Sequence, residues 1–189
     1  MFIAPLIIVS GPSGCGKSTL IRRLLAEKTW PIRLSVSVTT RLPRPDEKDG
    51  VDYHFWKAAD FVNAKDADRF LEWAAVHGNY YGTLADEVGP FREKGVGVLL
   101  DIDVQGWQQV KKRCPDATSI FIRTARFETL EERLRKRHTE TEEAIQKRLA
   151  NARAESAHAD AYDYQVINDD LDTALASMRK IFEKLFRAN

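Results

Sequence analysis

The residues with the plainest chemistry are contiguous. Positions 11–18 read GPSGCGKS and match G-x-x-x-x-G-K-[ST]. Gly11, Gly14 and Gly16 let the backbone turn tightly and present its N–H groups to an anion. A helix starting near Lys17 would aim its positive end at the same anion. Lys17 can reach the β- and γ-phosphates of a nucleoside triphosphate, most simply ATP, and Ser18 can ligate Mg²⁺. Asp101 ends the apolar run GVGVLLD, where a carboxylate could hold the Mg²⁺ shell. Asp103 lies two residues on and shares its strand face, so either aspartate could instead cap the helix that follows. Cys15, at a helix N-terminus beside Lys17, is placed to favour its thiolate.

A second group lies at 37–45, SVTTRLPRP. Each proline biases the residue before it toward extended or polyproline II backbone, which repeats every three residues. Arg41 and Arg44 would then share a face, and their two forks could converge on a second phosphate. Tyr53 and Tyr81 offer phenolic donors to the same group. Glu72 interrupts the apolar stretch FLEWAA. A carboxylate in such a setting needs paired N–H donors. The N1–H and N2–H₂ edge of guanine supplies that pair, whereas the matching edge of adenine presents an acceptor. Ser37 and Thr83 could bond the other polar atoms of the base.

These side chains need a scaffold. The runs PLIIVS (5–10), GVGVLLDID (95–103), TSIFI (118–122) and YQVI (164–167) read as buried strands. They alternate with helical patterns at 18–28, 105–113, 130–137 and about 171–186, which predicts an α/β fold around a parallel sheet. Two stretches break the alternation. Residues 37–83 read as short strands and turns in an inserted, partly antiparallel lobe. Residues 125–158 are helical and highly charged, and TETE there fits a capping box from Thr139 to Glu142. The chain of 189 residues suits one domain. Its 29 basic and 28 acidic residues leave a formal charge of +1, without the basic bias of a sequence-independent nucleic-acid binder. Two cysteines without a CxxC pair, and four scattered histidines (His54, His77, His138, His158), form no zinc pattern. The apolar start MFIAPLIIVSG has no basic leader and is too short to span a membrane. The expectation is a cytoplasmic protein with no membrane or nucleic-acid partner.

The chain resembles the guanylate kinases, the ATP:GMP phosphotransferases of the P-loop nucleoside monophosphate kinase group. The resemblance rests on GPSGCGKST, SVSVTTRLPRPDEKDGVDYHF, FLEWAAVHGNYYGT, LLDIDVQG, LEERLRKRHTETEEAIQKRL and VINDDLD, in the family's order. It implies a three-layer P-loop kinase fold with a core (1–36, 84–124 and 159–189), a β-rich GMP-binding lobe (37–83) and a helical lid (125–158). It implies that ATP meets Gly11, Pro12, Ser13, Gly14, Cys15, Gly16, Lys17, Ser18 and Thr19, with Asn168 near the adenine. It implies that Ser37, Arg41, Arg44, Tyr53, Glu72, Tyr81, Thr83 and Asp103 bind GMP, and dGMP with it. Arg133, Arg137 and Arg148 would come from the lid onto the phosphates, joining Lys17 and Arg41 in catalysis. Cys15 stands where the family usually has alanine. No obligatory protein partner is expected. Two rivals are a non-catalytic scaffold domain and a kinase acting on another phosphorylated acceptor. The intact P-loop weighs against the first, and Glu72 with the Tyr81–Thr83 region weighs against the second.

Overall fold

The computed structural model describes residues 3–76, 78–136 and 141–187. Five strands form a parallel sheet: β1 (Leu6–Ser10), β2 (Ile32–Leu34), β7 (Gly97–Asp101), β8 (Thr118–Arg123) and β9 (Tyr164–Ile167), in the order β2-β7-β1-β8-β9. Both faces of β1 are buried, which is why LIIVS is apolar throughout. Leu6 and Ile8 point into one hydrophobic cluster, with Leu100, Phe121 and Trp107. Ile7 and Val9 point into the other, with Leu20, Leu99, Ile120 and Phe182. The first cluster is covered by α3 (Gly89–Glu93) and α4 (Val104–Arg113). The second is covered by α1 (Lys17–Ala26), α5 (Phe127–Arg135), α6 (Glu142–Ser156) and α7 (Leu171–Arg187). The apolar stripe of α7, Ala174, Leu175, Met178, Ile181 and Phe182, has the 3–4 spacing of a buried helix face.

The chain leaves β1 toward β2 on one side and later reaches β8 on the other. The carboxyl end of β1 is therefore a topological switch point, where open α/β sheets hold ligands. The 11–18 loop lies there.

A second, mixed sheet has the order β4-β3-β6-β5: β3 (Val38–Thr39), β4 (His54–Phe55), β5 (Phe70–Val76) and β6 (Asn79–Leu84). β3 and β4 run parallel, and the other pairs are antiparallel. The sheet has its own small core of Val38, Phe61, Ala64, Phe70 and Leu84. Strands and turns do not account for all of this lobe. It also holds α2 (Ala58–Asp66), which buries only Phe61 and Ala64 and so leaves a weak periodic signal.

Other expectations need adjusting. The short edge strand β2 and the one-turn α3 were not anticipated, being too brief to show a period. Helix α5 starts at Phe127 and ends at Arg135, not at 130 and 137. Thr139 lies outside the described residues. Thr141 is the N-cap of α6, its hydroxyl accepting from the Ala144 N–H at 3.3 Å. Glu142 is thus the first residue of α6. Its carboxylate takes both terminal nitrogens of Arg135, at 2.6 and 2.9 Å, stitching α5 to α6. Among the described residues no helix is long and apolar enough to cross a membrane.

Candidate active site

The loop after β1 reaches α1 through Gly16, whose φ of 86° is left-handed. A Cβ there would sit 2.5 Å from Asn168 Nδ2, so both conformation and space require glycine. Asn168 is buried and donates from Nδ2 to the Cys15 carbonyl at 2.7 Å, pinning the loop to the end of β9. Gly11, Pro12, Ser13, Gly14, Gly16, Lys17, Ser18 and Thr19 line a cavity of about 450 Å³. Across it stand Tyr53, Asp101, Asp103 and Glu155.

Lys17 Nζ lies 2.8 Å from Asp101 Oδ1 and 3.4 Å from the Ile102 carbonyl. Burial pulls the ammonium's pKa down, but the charge and hydrogen bond of Asp101 more than offset this and leave it above the ordinary value. Lys17 is therefore a fixed cation. Ser18 Oγ donates to Asp101 Oδ2 at 3.4 Å. A hydroxyl and a carboxylate oxygen side by side are the hard donors that suit Mg²⁺. Among the described residues no three His, Cys, Asp or Glu gather into a metal cage. The donor set thus fits a cation that arrives on phosphates and keeps most of its water.

Cys15 departs from expectation. Its side chain is 1% exposed and belongs to the hydrophobic core. Burial raises its pKa against the lowering effects of Lys17, so it is a neutral thiol rather than a thiolate. Its side chain does not line the cavity, and what it offers the loop is backbone.

A second cavity, of about 210 Å³, adjoins the first and is lined by Ser37, Glu72, Tyr81 and Ile102 among others. Tyr53, Asp101 and Asp103 line both. Glu72 is 6% exposed, and its Oε1 accepts from Thr83 Oγ1 at 2.6 Å. Burial raises its pKa to about 7, with the Asp103 charge pushing the same way and the Thr83 hydrogen bonds opposing. Thr83 itself is fully buried, and its hydroxyl proton is engaged by Glu72. Asp103 does two things at once. It caps α4, accepting from the Gly106 N–H at 2.8 Å, and it faces both cavities.

The Arg41 fork donates to Glu47 Oε1 at 2.8 Å and to the Leu42 carbonyl at 2.7 Å. Its carbon lies 5.7 Å from the centroid of the Tyr53 ring, and Tyr53 packs edge-on against Tyr81. Arg44 is exposed and donates its backbone N–H to the other oxygen of Glu47 at 2.8 Å. The sequence reading did not include Glu47. One carboxylate braces this turn by holding the fork of one arginine and the backbone of the other.

From the helical excursion, Arg148 on α6 donates to Ser13 Oγ of the loop. Arg133 donates instead to the carbonyls of Asn168 and Asp169, at 2.8 and 3.0 Å, and lines a third cavity of about 360 Å³ with Gly14, Gly16, Thr19 and Asn168. It thus lies beside the loop rather than over the phosphate cavity. Arg137 lies outside the described residues. Sequence reasoning missed Glu155, a carboxylate facing the loop. The available signal was its spacing, seven residues or two helical turns from Arg148, which puts both on one face.

The comparisons with known proteins agree. The family model described as guanylate kinase matches residues 4–185. A guanylate kinase of Rhizobium etli is 48% identical over 93% of this chain and 80% of its own length. One from Fusobacterium nucleatum is 47% identical over 97% of this chain and 98% of its own. The crystal structure of guanylate kinase from Anaplasma phagocytophilum superposes with a TM-score of 0.77 at 31% identity, over 97% of this chain and 87% of that one. A P-loop facing a buried carboxylate across shared walls, on a scaffold and sequence of this kind, places the chain in the guanylate kinase family, whose members phosphorylate GMP.

Proposed function

We propose that the two adjoining cavities are the two nucleotide sites of this guanylate kinase, with MgATP on the 11–18 loop and GMP, or dGMP, against Glu72. The observation that supports this is their common wall: Tyr53, Asp101 and Asp103 line both, so the triphosphate's terminal group and an acceptor phosphate would meet there. The γ-phosphoryl passes in line to a phosphate oxygen of GMP, giving ADP and GDP for purine nucleotide metabolism. The acceptor is already an oxyanion, so no general base is required. Catalysis then consists of positioning and charge stabilisation.

Each residue has a part in this. Loop N–H groups and Lys17 hold the β- and γ-phosphates, with Lys17 exchanging part of its Asp101 pairing for phosphate oxygen. Arg41, Arg44, Tyr53 and Tyr81 hold the GMP phosphate. Glu72 reads the guanine N1–H and N2–H₂ edge, set by Thr83, while Ser37 and Asp103 bond the remaining polar atoms. Asn168 stands by the adenine. Arg133, Arg137 and Arg148 bring positive charge from the lid. Mg²⁺ carried by ATP would neutralise phosphate charge next to Ser18 and Asp101. The working parts are a core of 1–36, 84–124 and 159–189, a GMP-binding lobe of 37–83 and a lid of 125–158, in a cytoplasmic enzyme.

An ADP-release assay across GMP, dGMP, AMP, CMP and UMP, with Mg²⁺ and with chelator, tests this reading. Turnover confined to the guanine nucleotides and lost with chelator is expected. Comparable turnover of AMP would overturn the assignment of Glu72.

A further inference from the structure

Glu72 sits on β5, an edge strand of the lobe sheet, and β5 is irregular at that point. Phe70 pairs with Leu84 but Glu72 pairs with Thr83, so an extra residue, Leu71, is accommodated between them. Such a bulge re-aims the side chain that follows it, here toward Thr83 and the second cavity. It also weakens the ladder that would otherwise hold the strand in register. Thr83 and the β5–β6 pairing from Glu72 to Val76 hold the carboxylate from one side. A carboxylate that reads two N–H groups tolerates little displacement, so the open edge of the strand needs a restraint as well.

Helix α4 provides that restraint from the core. The Gln109 side-chain amide meets the backbone of Trp73, the residue next to Glu72, at two points. Trp73 N–H donates to Oε1 at 3.1 Å, and Nε2 donates to the Trp73 carbonyl at 2.9 Å. A primary amide is thus hydrogen-bonded to the open edge of β5 as another strand would be. One turn earlier on the same helix face, Gly106 gives Glu72 its room. A Cβ at Gly106 would lie 2.9 Å from Glu72 Oε2 and 3.2 Å from Ile102 Cβ. The same Gly106 N–H is capped by Asp103. One helix therefore caps onto Asp103, leaves the clearance for Glu72 and braces the outer edge of its strand.

We propose that Gln109 is a positioning residue for guanine recognition: by clamping both backbone polar groups of Trp73 it holds the Glu72 carboxylate at the distance from Asp103 and the core that the base requires. This rests on the reading of Glu72 as the guanine acceptor. Gln109 touches no nucleotide, and its effect runs through Glu72 alone.

Gln109→Leu removes both hydrogen bonds at similar size. The clamp predicts that KM for GMP rises about tenfold, since a displacement well under 1 Å costs part of the roughly 10²-fold that a full ångström can cost. KM for ATP and kcat at saturating GMP stay near wild type. The preference for GMP over IMP, which lacks the exocyclic amino group, shrinks by a similar factor. In the Glu72→Gln background the Gln109→Leu change adds no further loss, because the group it positions is already disabled. Thermal unfolding of each variant accompanies the kinetics, and a loss of stability alone would leave the GMP-to-IMP preference intact. If Gln109→Leu does not fold, Gln109→Glu keeps the acceptor for the Trp73 N–H, loses the donor, and is judged on the same criteria. Wild-type GMP kinetics in the Gln109 variant beside an impaired Glu72→Gln would overturn the clamp and leave the Glu72 reading standing. Unimpaired Glu72→Gln would overturn that reading itself. Full additivity in the double variant would show Gln109 acting by another route, and the proposal falls.

Discussion

Glu72→Gln should push stability and activity in opposite directions, and pH should separate the two. The side chain is buried, and its pKa is raised from the ordinary 4.5 to about 7. The folded protein therefore holds a proton that the unfolded chain releases between those values. The resulting stabilisation is complete below about pH 4.5 and is lost as pH rises through about 7. Above that, the ionised carboxylate burdens the empty protein by about 3 kcal/mol, at about 1.4 kcal/mol per pH unit. Glutamine carries no such burden. After allowing about 1 kcal/mol for a poorer bond to Thr83, Glu72→Gln should stabilise the nucleotide-free protein by about 2 kcal/mol near pH 8. For a chain of this length that is a rise in Tm of about 4–8 °C, shrinking toward zero near pH 5.

GMP binding runs the other way, because guanine's two N–H donors need the ionised form. Wild-type kcat/KM for GMP should fall about tenfold per pH unit below about 7, on top of the phosphate's own protonation near about pH 6. Glu72→Gln should lose the upper limb and lie on the order of 10²-fold lower at its plateau. The assays are thermal unfolding and steady-state kinetics over the same pH series. A variant that keeps the wild-type limb, or that phosphorylates GMP as well as wild type, would refute the assignment. A variant destabilised at about pH 8 would refute the argument from burial.

Lys17→Ala should leave the fold intact and lower kcat by about 10³-fold or more, because the γ-phosphoryl loses its nearest fixed cation. Circular dichroism with single-turnover kinetics checks this, and a folded variant with near-normal turnover would remove Lys17 from the reaction. Cys15, buried and protonated, should resist iodoacetamide in the native protein, with half-buried Cys114 alkylated first and activity surviving. Peptide mapping by mass spectrometry reads the order, and rapid Cys15 labelling slowed by MgATP would show the thiol to be accessible after all.

What the sequence determined by itself is the local part of the site. GPSGCGKS is legible because a phosphate-binding turn is built from consecutive residues, and their spacing dictates their geometry wherever the loop is placed. The flanking run PLIIVS and the stripe of the C-terminal helix are legible for the same reason, since burial on two faces or on one leaves a fixed period. A lone carboxylate in FLEWAA could be recognised as anomalous, though not by what surrounds it. Tertiary structure alone decided the pairings across long separations. Lys17 is held by Asp101, 84 positions away in the chain, and Arg148 comes to Ser13 from a separate helix. The Cys15 thiolate was inferred from two neighbours in sequence, Lys17 and the helix end, and failed because the core around it comes from elements the local pattern does not name. The bulge at Leu71 and the Gln109 clamp on Trp73 were equally invisible. Each depends on which strand lies at an edge and which helix covers it, and that is settled only when the sheets and helices bury their apolar faces together.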